Sequence, residues 1–162
     1  MSDIDELADR FLKACQARQI LAATAESCTG GLIIARMTDI PGSSSMVDRG
    51  FVTYSNDAKM DMLGVRQATL DAHGAVSRET ALEMAAGALK NSRAGIALSV
   101  TGIAGPDGGS AEKPVGLVWF GVAVEGRDPI AEQRLFENRG RSYIRQQTVE
   151  TALQLGLDAM SK

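Results

Sequence analysis

The sequence predicts an α/β protein: a three-layer α/β/α sandwich with a mixed, partly antiparallel sheet. Strand-like apolar segments alternate with segments of helical periodicity, a pattern that places helices on both faces of a sheet. Near the carboxyl end, two strand-like segments, 115–124 and 130–136, are separated by the turn Gly126-Arg-Asp-Pro129. We expect these two segments to pair antiparallel, which makes the sheet mixed.

The first half of the chain follows this alternation. Residues 3–18 begin with acidic side chains and carry apolar side chains three and four residues apart, so they predict an amphipathic helix. A strand near 20–25 follows, then a turn of small and polar residues and a helix that ends before Pro41. After a loop at 39–45, the last part of 46–54 has strong strand propensity.

The middle of the chain predicts two helices. Asp57 is the expected cap of a short helix that ends at Gly64. A loop is expected at 71–76, followed by a helix that Ser77 caps and that stops near Arg93.

A buried strand and a glycine-rich stretch come next. The segment 95–100 is nearly all apolar, which is typical of a strand buried on both faces. In 101–110, four glycines fall within nine residues. Glycine permits positive φ angles and lets backbone N–H groups converge on an anion, so this stretch is either a ligand loop or a flexible hairpin. The chain closes with the basic segment 139–145 and a final helix.

Composition narrows the class of protein. The 162 residues, 44% apolar and 23% charged, fit one domain spanning 1–162. A net charge of −3 and no Lys/Arg-rich run argue against nucleic acid as a partner.

Two cysteines without zinc spacing indicate a reduced, cytoplasmic protein with no metal. No apolar run approaches the roughly 20 residues that cross a membrane, and no secretory leader is expected. The sequence does not determine the oligomeric state and is compatible with a homo-oligomer.

Ser27 is the candidate nucleophile. It lies where a predicted strand passes into a helix, near unpaired N–H groups and the positive end of the helix dipole. The alternative is that Ser27 or Thr29 simply caps the helix. Cys28 could also be the nucleophile, but its base would then have to be the single histidine, His73. The residues around His73 are typical of an ordinary turn.

Three cations lie near predicted helix starts, where the dipole disfavours them. Lys59 is either solvated or partly neutral and able to act as a base. Arg141 and Arg145 share one helix face and are either solvated or part of a site for phosphate or carboxylate. Because ligands collect beyond the carboxyl ends of strands in such sheets, we expect Ser27, Tyr54 and the 101–109 loop to share one rim.

Four segments strongly resemble the carboxy-terminal domain of the CinA family (competence/damage-inducible protein), which also occurs alone as a nicotinamide-nucleotide amidohydrolase. They are Thr24-Ala-Glu-Ser-Cys-Thr-Gly-Gly31, Gly50-Phe-Val-Thr-Tyr-Ser-Asn56 with Lys59, His73-Gly-Ala-Val-Ser77, and Thr101-Gly-Ile-Ala-Gly-Pro-Asp-Gly-Gly109 with Lys113-Pro-Val-Gly116. The resemblance extends from about residue 5 to 157. We expect one domain, without the additional amino-terminal domain of the family's larger members.

The resemblance implies hydrolysis of the carboxamide of nicotinamide mononucleotide to nicotinic acid mononucleotide and ammonia, with no cofactor and no metal. By position, Ser27 resembles the nucleophile, and Lys59 and Tyr54 resemble its activating partners. The residues expected to bind the substrate are Thr29, Gly30, Gly31, Thr101, Gly102, Gly105, Gly108 and Arg141. The alternative is a non-catalytic nucleotide-binding module linked to competence or the DNA-damage response.

Overall fold

The computed structural model describes residues 2–162, which form six α-helices and five strands. In chain order these are α1 (Asp3–Arg18), β1 (Ala22–Glu26), α2 (Leu32–Thr38), β2 (Val47–Val52), α3 (Asn56–Leu63), α4 (Gln67–His73), α5 (Arg78–Lys90), β3 (Ile96–Gly102), β4 (Leu117–Val124), β5 (Ile130–Leu135) and α6 (Arg141–Met160). A short 3₁₀ helix, Ser43–Ser45, precedes β2.

The strands form one sheet in the order β2-β1-β3-β4-β5. β1 is parallel to both β2 and β3, whereas β4 is antiparallel to β3 and β5. Helices α1, α2 and α6 cover one face, and α3, α4 and α5 cover the other. The predicted three-layer sandwich with a mixed sheet and an antiparallel β4–β5 hairpin is therefore confirmed.

The core is divided by the sheet. The larger cluster lies under α1 and α6 and includes Phe11, Leu98 and Leu153, while the smaller one lies under α3 and α5 and includes Leu63 and Met84. β3 is central and is buried along nearly its whole length, as its apolar sequence predicts. None of the helices in the described residues is long and apolar enough to cross a membrane.

Three predicted boundaries are wrong. The expected loop at 71–76 is in part helix, because α4 extends to His73. The carboxylate of Glu83 on α5 accepts hydrogen bonds from the Arg66 amide at 2.9 Å and the Thr69 hydroxyl at 2.5 Å, which stabilises the start of α4. Such a contact between two helices leaves no local signal in the α4 sequence.

The cap of α3 is Ser55 rather than Asp57. The Ser55 hydroxyl accepts a hydrogen bond from the Ala58 amide at 3.0 Å, so the helix begins two residues earlier than predicted. Asp57 lies in the first turn instead, where its charge still favours the dipole. Thr101 and Gly102 are likewise the last residues of β3 and not part of a loop, because they pair with Trp119 and Val118 of β4.

Candidate active site

Ser27 lies at the carboxyl rim of the sheet, between the ends of two strands. Its amide donates a hydrogen bond to the Val100 carbonyl at 3.1 Å, and the Thr53 amide donates to the Glu26 carbonyl at 2.8 Å. The backbone around Ser27 therefore continues the sheet for one residue beyond β1. This arrangement brings Ser27 next to Thr101 on one side and next to the Thr53–Tyr54 segment on the other, as expected from the three strand ends.

Lys59 reaches Ser27 from α3. Its ammonium group donates hydrogen bonds to the Ser27 Oγ at 3.0 Å and to the Thr53 carbonyl at 3.1 Å. The side chain is 1% exposed, and no ion pair to a carboxylate accompanies these contacts within residues 2–162. The expectation that Lys59 lies within hydrogen-bond reach of Ser27 is therefore confirmed.

Burial sets the acidity of this lysine. It lowers the pKa of Lys59, because a charged ammonium loses hydration inside the protein, while the Cys28 thiol acts in the opposite direction. Burial also raises the pKa of Cys28 to about 12, so the thiol is uncharged near neutral pH and its opposing effect is absent there. The sequence placed Lys59 near a helix start, where the dipole disfavours a cation, and burial is the main cause of its lowered pKa in the structure.

The surroundings of Cys28 do not favour it as a nucleophile. The thiol is 6% exposed and protonated near neutral pH. His73 forms the end of α4, and its Nδ1 lies 3.5 Å from a carboxylate oxygen of Glu79. A histidine that pairs with Glu79 is not positioned as a base for Cys28.

The carboxylate of Glu26 organises the turn that carries Ser27, and sequence reasoning missed it. It is fully buried and accepts five hydrogen bonds of 2.6 to 3.2 Å. The donors are the hydroxyls of Thr24 and Thr29 and the amides of Gly31, Ile33 and Ile34. A signal was present in the sequence, because Glu26 is the one charged residue among the five of β1.

These bonds change the expected roles of Thr29, Gly30 and Gly31. The Thr29 hydroxyl and the Gly31 amide are held by Glu26, and the Gly30 amide donates to the Ser27 carbonyl at 3.1 Å. Their donors therefore face inward rather than towards a substrate. Two other amides of this turn, those of Cys28 and Thr29, donate to no backbone or side-chain acceptor within the described residues. They are the remaining donors for an oxyanion beside Ser27.

Arg145 fixes the other side of the same turn. Its Nε donates to the Cys28 carbonyl at 3.1 Å and its Nη2 donates to the Thr29 carbonyl at 3.0 Å. The Cys28 carbonyl and the Thr29 N–H belong to one trans peptide group, in which the C=O and N–H point in opposite directions. Because Arg145 binds that carbonyl, the Thr29 N–H points away from the guanidinium. Arg145 is thus neither a solvated cation nor a free phosphate ligand, the two roles that the sequence allowed.

Arg141 connects the glycine-rich loop to Tyr54. Its Nη1 donates to the Gly105 carbonyl at 2.6 Å and its Nη2 donates to the Tyr54 hydroxyl at 2.8 Å. Tyr54 is 62% exposed, and its hydroxyl makes no direct hydrogen bond to Ser27 or Lys59. A catalytic role for Tyr54 therefore stays a prediction, and its observed partner is Arg141.

The remaining predicted binding residues differ in their surroundings. The Thr101 hydroxyl is buried and donates to the Ala75 carbonyl at 2.8 Å. Gly102 packs against β4, since a Cβ there would lie 2.6 Å from a methyl group of Val118. Gly105 and Gly108 have φ angles of +79° and +91°, which explains why glycine is required in this loop. No group of three His, Cys, Asp or Glu side chains within residues 2–162 is placed to hold a metal ion.

The fold and the site define a three-layer α/β protein with a serine–lysine pair at the carboxyl rim of its sheet. The chain belongs to the CinA C-terminal domain family, whose family model matches residues 4–160. Among its relatives, the nicotinamide-nucleotide amidohydrolase PncC of Escherichia coli K12 is 50% identical over 94% of this chain and 92% of its own.

Solved structures agree with this assignment. The competence/damage inducible protein CihA from Agrobacterium tumefaciens is 53% identical with a TM-score of 0.96, covering 100% of this chain and 98% of its own. A CinA superfamily protein from Klebsiella pneumoniae is 34% identical with a TM-score of 0.93, covering 99% of each chain.

Proposed function

We propose that this protein is a nicotinamide-nucleotide amidohydrolase that converts nicotinamide mononucleotide and water to nicotinic acid mononucleotide and ammonia. The observation that carries the proposal is the 3.0 Å contact between the Ser27 Oγ and the buried Lys59 Nζ. An amide is a poor electrophile, so its hydrolysis requires an activated nucleophile and a proton donor for the leaving ammonia. The 50% identity to the E. coli enzyme supports the same substrate class.

In the proposed reaction, neutral Lys59 takes the Ser27 proton as Oγ attacks the carboxamide carbon. The amides of Cys28 and Thr29 stabilise the oxyanion. The C–N bond then breaks, the Lys59 ammonium returns the proton to the leaving nitrogen, and ammonia departs from a Ser27 ester. Water attacks this ester while Lys59 takes one of its protons. Lys59 then returns that proton to the departing Ser27 Oγ, and the acid product loses its remaining proton to solvent as the carboxylate. No step requires a cofactor or metal.

We place the phosphate of the nucleotide near Arg141 and the loop that carries Gly105 and Gly108. Arg141 donates to a neutral carbonyl and a neutral phenol at the mouth of the site. Phosphate oxygens are stronger acceptors for a guanidinium than either group, so the substrate would replace at least one of these bonds. We also propose that the whole chain acts as one domain on a small molecule, in the cytoplasm and without nucleic acid.

The decisive experiment measures ammonia release from nicotinamide mononucleotide by the purified protein, with Ser27→Ala and Lys59→Arg. We expect no turnover by Ser27→Ala. A loss of about 10²- to 10⁴-fold is expected for Lys59→Arg, because a guanidinium keeps the charge but cannot accept a proton in this pH range. Wild-type turnover should rise with pH as Lys59 deprotonates, and hydroxylamine should trap the acyl group.

One outcome would contradict the proposed activity, and another would contradict the role given to Lys59. Calorimetric binding of the nucleotide without any ammonia release would instead indicate the non-catalytic binding module. Substantial activity in Lys59→Arg would show that Lys59 supplies only charge, and Tyr54→Phe would then test whether the phenol takes the proton.

A further inference from the structure

The outer edge of β5 is uncovered. β5 is the last strand of the sheet, pairs only with β4, and contains no glycine, proline or lysine that would discourage pairing with another chain. Ile130 is 48% exposed and Leu135 is 66% exposed. β2, the strand at the opposite edge, carries Gly50 and pairs with β1 through an irregular register. The outward backbone groups of this six-residue strand therefore have no partner strand.

The ladder between β4 and β5 shows which backbone groups are free. The Phe136 amide donates to the Gly116 carbonyl at 2.9 Å, which continues the β4–β5 register by one pair. Inward and outward bonding alternate along an antiparallel strand, so the even-numbered residues of β5 turn their N–H and C=O groups to β4. The corresponding groups of Ala131, Gln133 and Leu135 turn to the free edge. Two of these carbonyls accept hydrogen bonds from exposed guanidinium groups, which a partner strand would have to replace: Ala131 accepts from the Arg78 Nη1 at 3.4 Å, and Gln133 accepts from the Arg134 Nη1 at 3.0 Å.

The charges on β5 are self-complementary in one register. Two copies of the strand can join antiparallel only if odd-numbered residues face odd-numbered residues, since these turn their backbone groups to the outer edge. When the Gln133 residues of the two chains lie opposite each other, Glu132 of each chain lies opposite Arg134 of the other. This register therefore forms two pairs of opposite charge. A shift by two residues in either direction instead places Glu132 opposite Glu132 or Arg134 opposite Arg134, which is unfavourable.

We propose that the protein forms a symmetric dimer in which two β5 strands pair antiparallel about Gln133 and join the sheets into one of ten strands. In this register Ile130 lies opposite Phe136, and Leu135 lies opposite Ala131, so both exposed apolar side chains meet apolar partners. The contact is isologous, so it closes at two chains. A second copy is the occupant because the charge pattern of the strand complements itself.

Charge reversal tests the register. In Glu132→Arg and in Arg134→Glu, both cross-chain pairs become like-charged, and sedimentation equilibrium should show a dimer dissociation constant about ten- to thirtyfold higher than that of the wild type. The double variant Glu132→Arg/Arg134→Glu restores opposite charges and should recover the dimer. A mixture of the two single variants should form heterodimers, because the two arginines on β5 of one chain then face the two glutamates on β5 of the other.

Folding is checked separately. Both strands of the β4–β5 hairpin remain paired in these variants, so circular dichroism and thermal unfolding of the monomers should match the wild type. Gln133→Pro removes a free edge amide without removing a bond to β4, and should also weaken the dimer. A wild-type protein that stays monomeric up to millimolar concentration would overturn the proposal. Single variants that dimerise as tightly as the wild type would overturn it equally.

Discussion

Replacing Glu26 by glutamine should destabilise the protein although the side chain keeps its size. Oε1 accepts three hydrogen bonds, from the Thr29 hydroxyl and the amides of Gly31 and Ile33. Oε2 accepts two, from the Thr24 hydroxyl and the Ile34 amide. The glutamine oxygen can replace only one of these atoms, and the NH₂ group must take the place of the other.

The smaller loss keeps the glutamine oxygen at the Oε1 position. The NH₂ group then faces the Ile34 amide, donor against donor, while the Thr24 hydroxyl can rotate to accept. Losing one hydrogen bond to a charged acceptor costs about 1.5–3 kcal/mol, and losing a negative charge at a helix start costs about 0.3–1 kcal/mol more. Because a buried charge is also removed, which is favourable, we expect a net loss of about 2 kcal/mol.

Urea unfolding followed by circular dichroism measures this loss, and the slope of the transition should stay unchanged. Thr29→Val is the matched control, because it removes one donor and leaves the carboxylate charged, and it should cost about 1 kcal/mol. Glu26→Gln should also lower kcat, since the turn that carries Ser27 loses an anchor. This role of Glu26 is refuted if Glu26→Gln unfolds within about 0.5 kcal/mol of the wild type, or if Thr29→Val is the less stable of the two.

Two further predictions concern the neighbours of Ser27. Because burial lowers the folded-state pKa of Lys59, the unfolded chain binds more protons at pH values between that lowered pKa and about 10.4. The free energy of unfolding of the wild type, measured by chemical denaturation relative to Lys59→Met, should therefore rise with pH across that interval. A difference between the two proteins that does not change with pH would contradict this prediction. Cys28→Ala should retain most of the ammonia-releasing activity because the thiol is protonated and buried; loss of turnover with nucleotide binding intact would make Cys28 part of the chemistry.

The general architecture was predictable because its signals are local. The apolar alternation of the strands and the helical periodicity of α1 and α5 are visible within short windows, and they define the three layers. The contact between Ser27 and Lys59 was predictable for a related reason: both residues follow adjacent parallel strands, whose carboxyl ends must meet at one rim.

The remaining features depend on residues that are distant in the sequence. Arg145 lies more than a hundred residues from the Cys28 carbonyl that it binds, and its sequence context indicates only a cation near a helix start. The boundary of α4 depends on Glu83 of another helix. The role of Glu26 is local, but a carboxylate in a buried strand reveals its function only when the direction of its side chain is known.

That direction explains how Glu26 and Lys59 can both lie near Ser27 without pairing. Successive side chains of a strand point to opposite faces of the sheet. The Glu26 carboxylate therefore points to the side of α2, where donors from β1, the turn and the start of α2 satisfy it. The Ser27 hydroxyl points to α3 and Lys59. A carboxylate on the α3 side would favour the charged ammonium and raise the pKa of Lys59. Because the sheet separates the two charges, Glu26 can stabilise the turn while burial still lowers the pKa of Lys59, the direction that the proposed base requires.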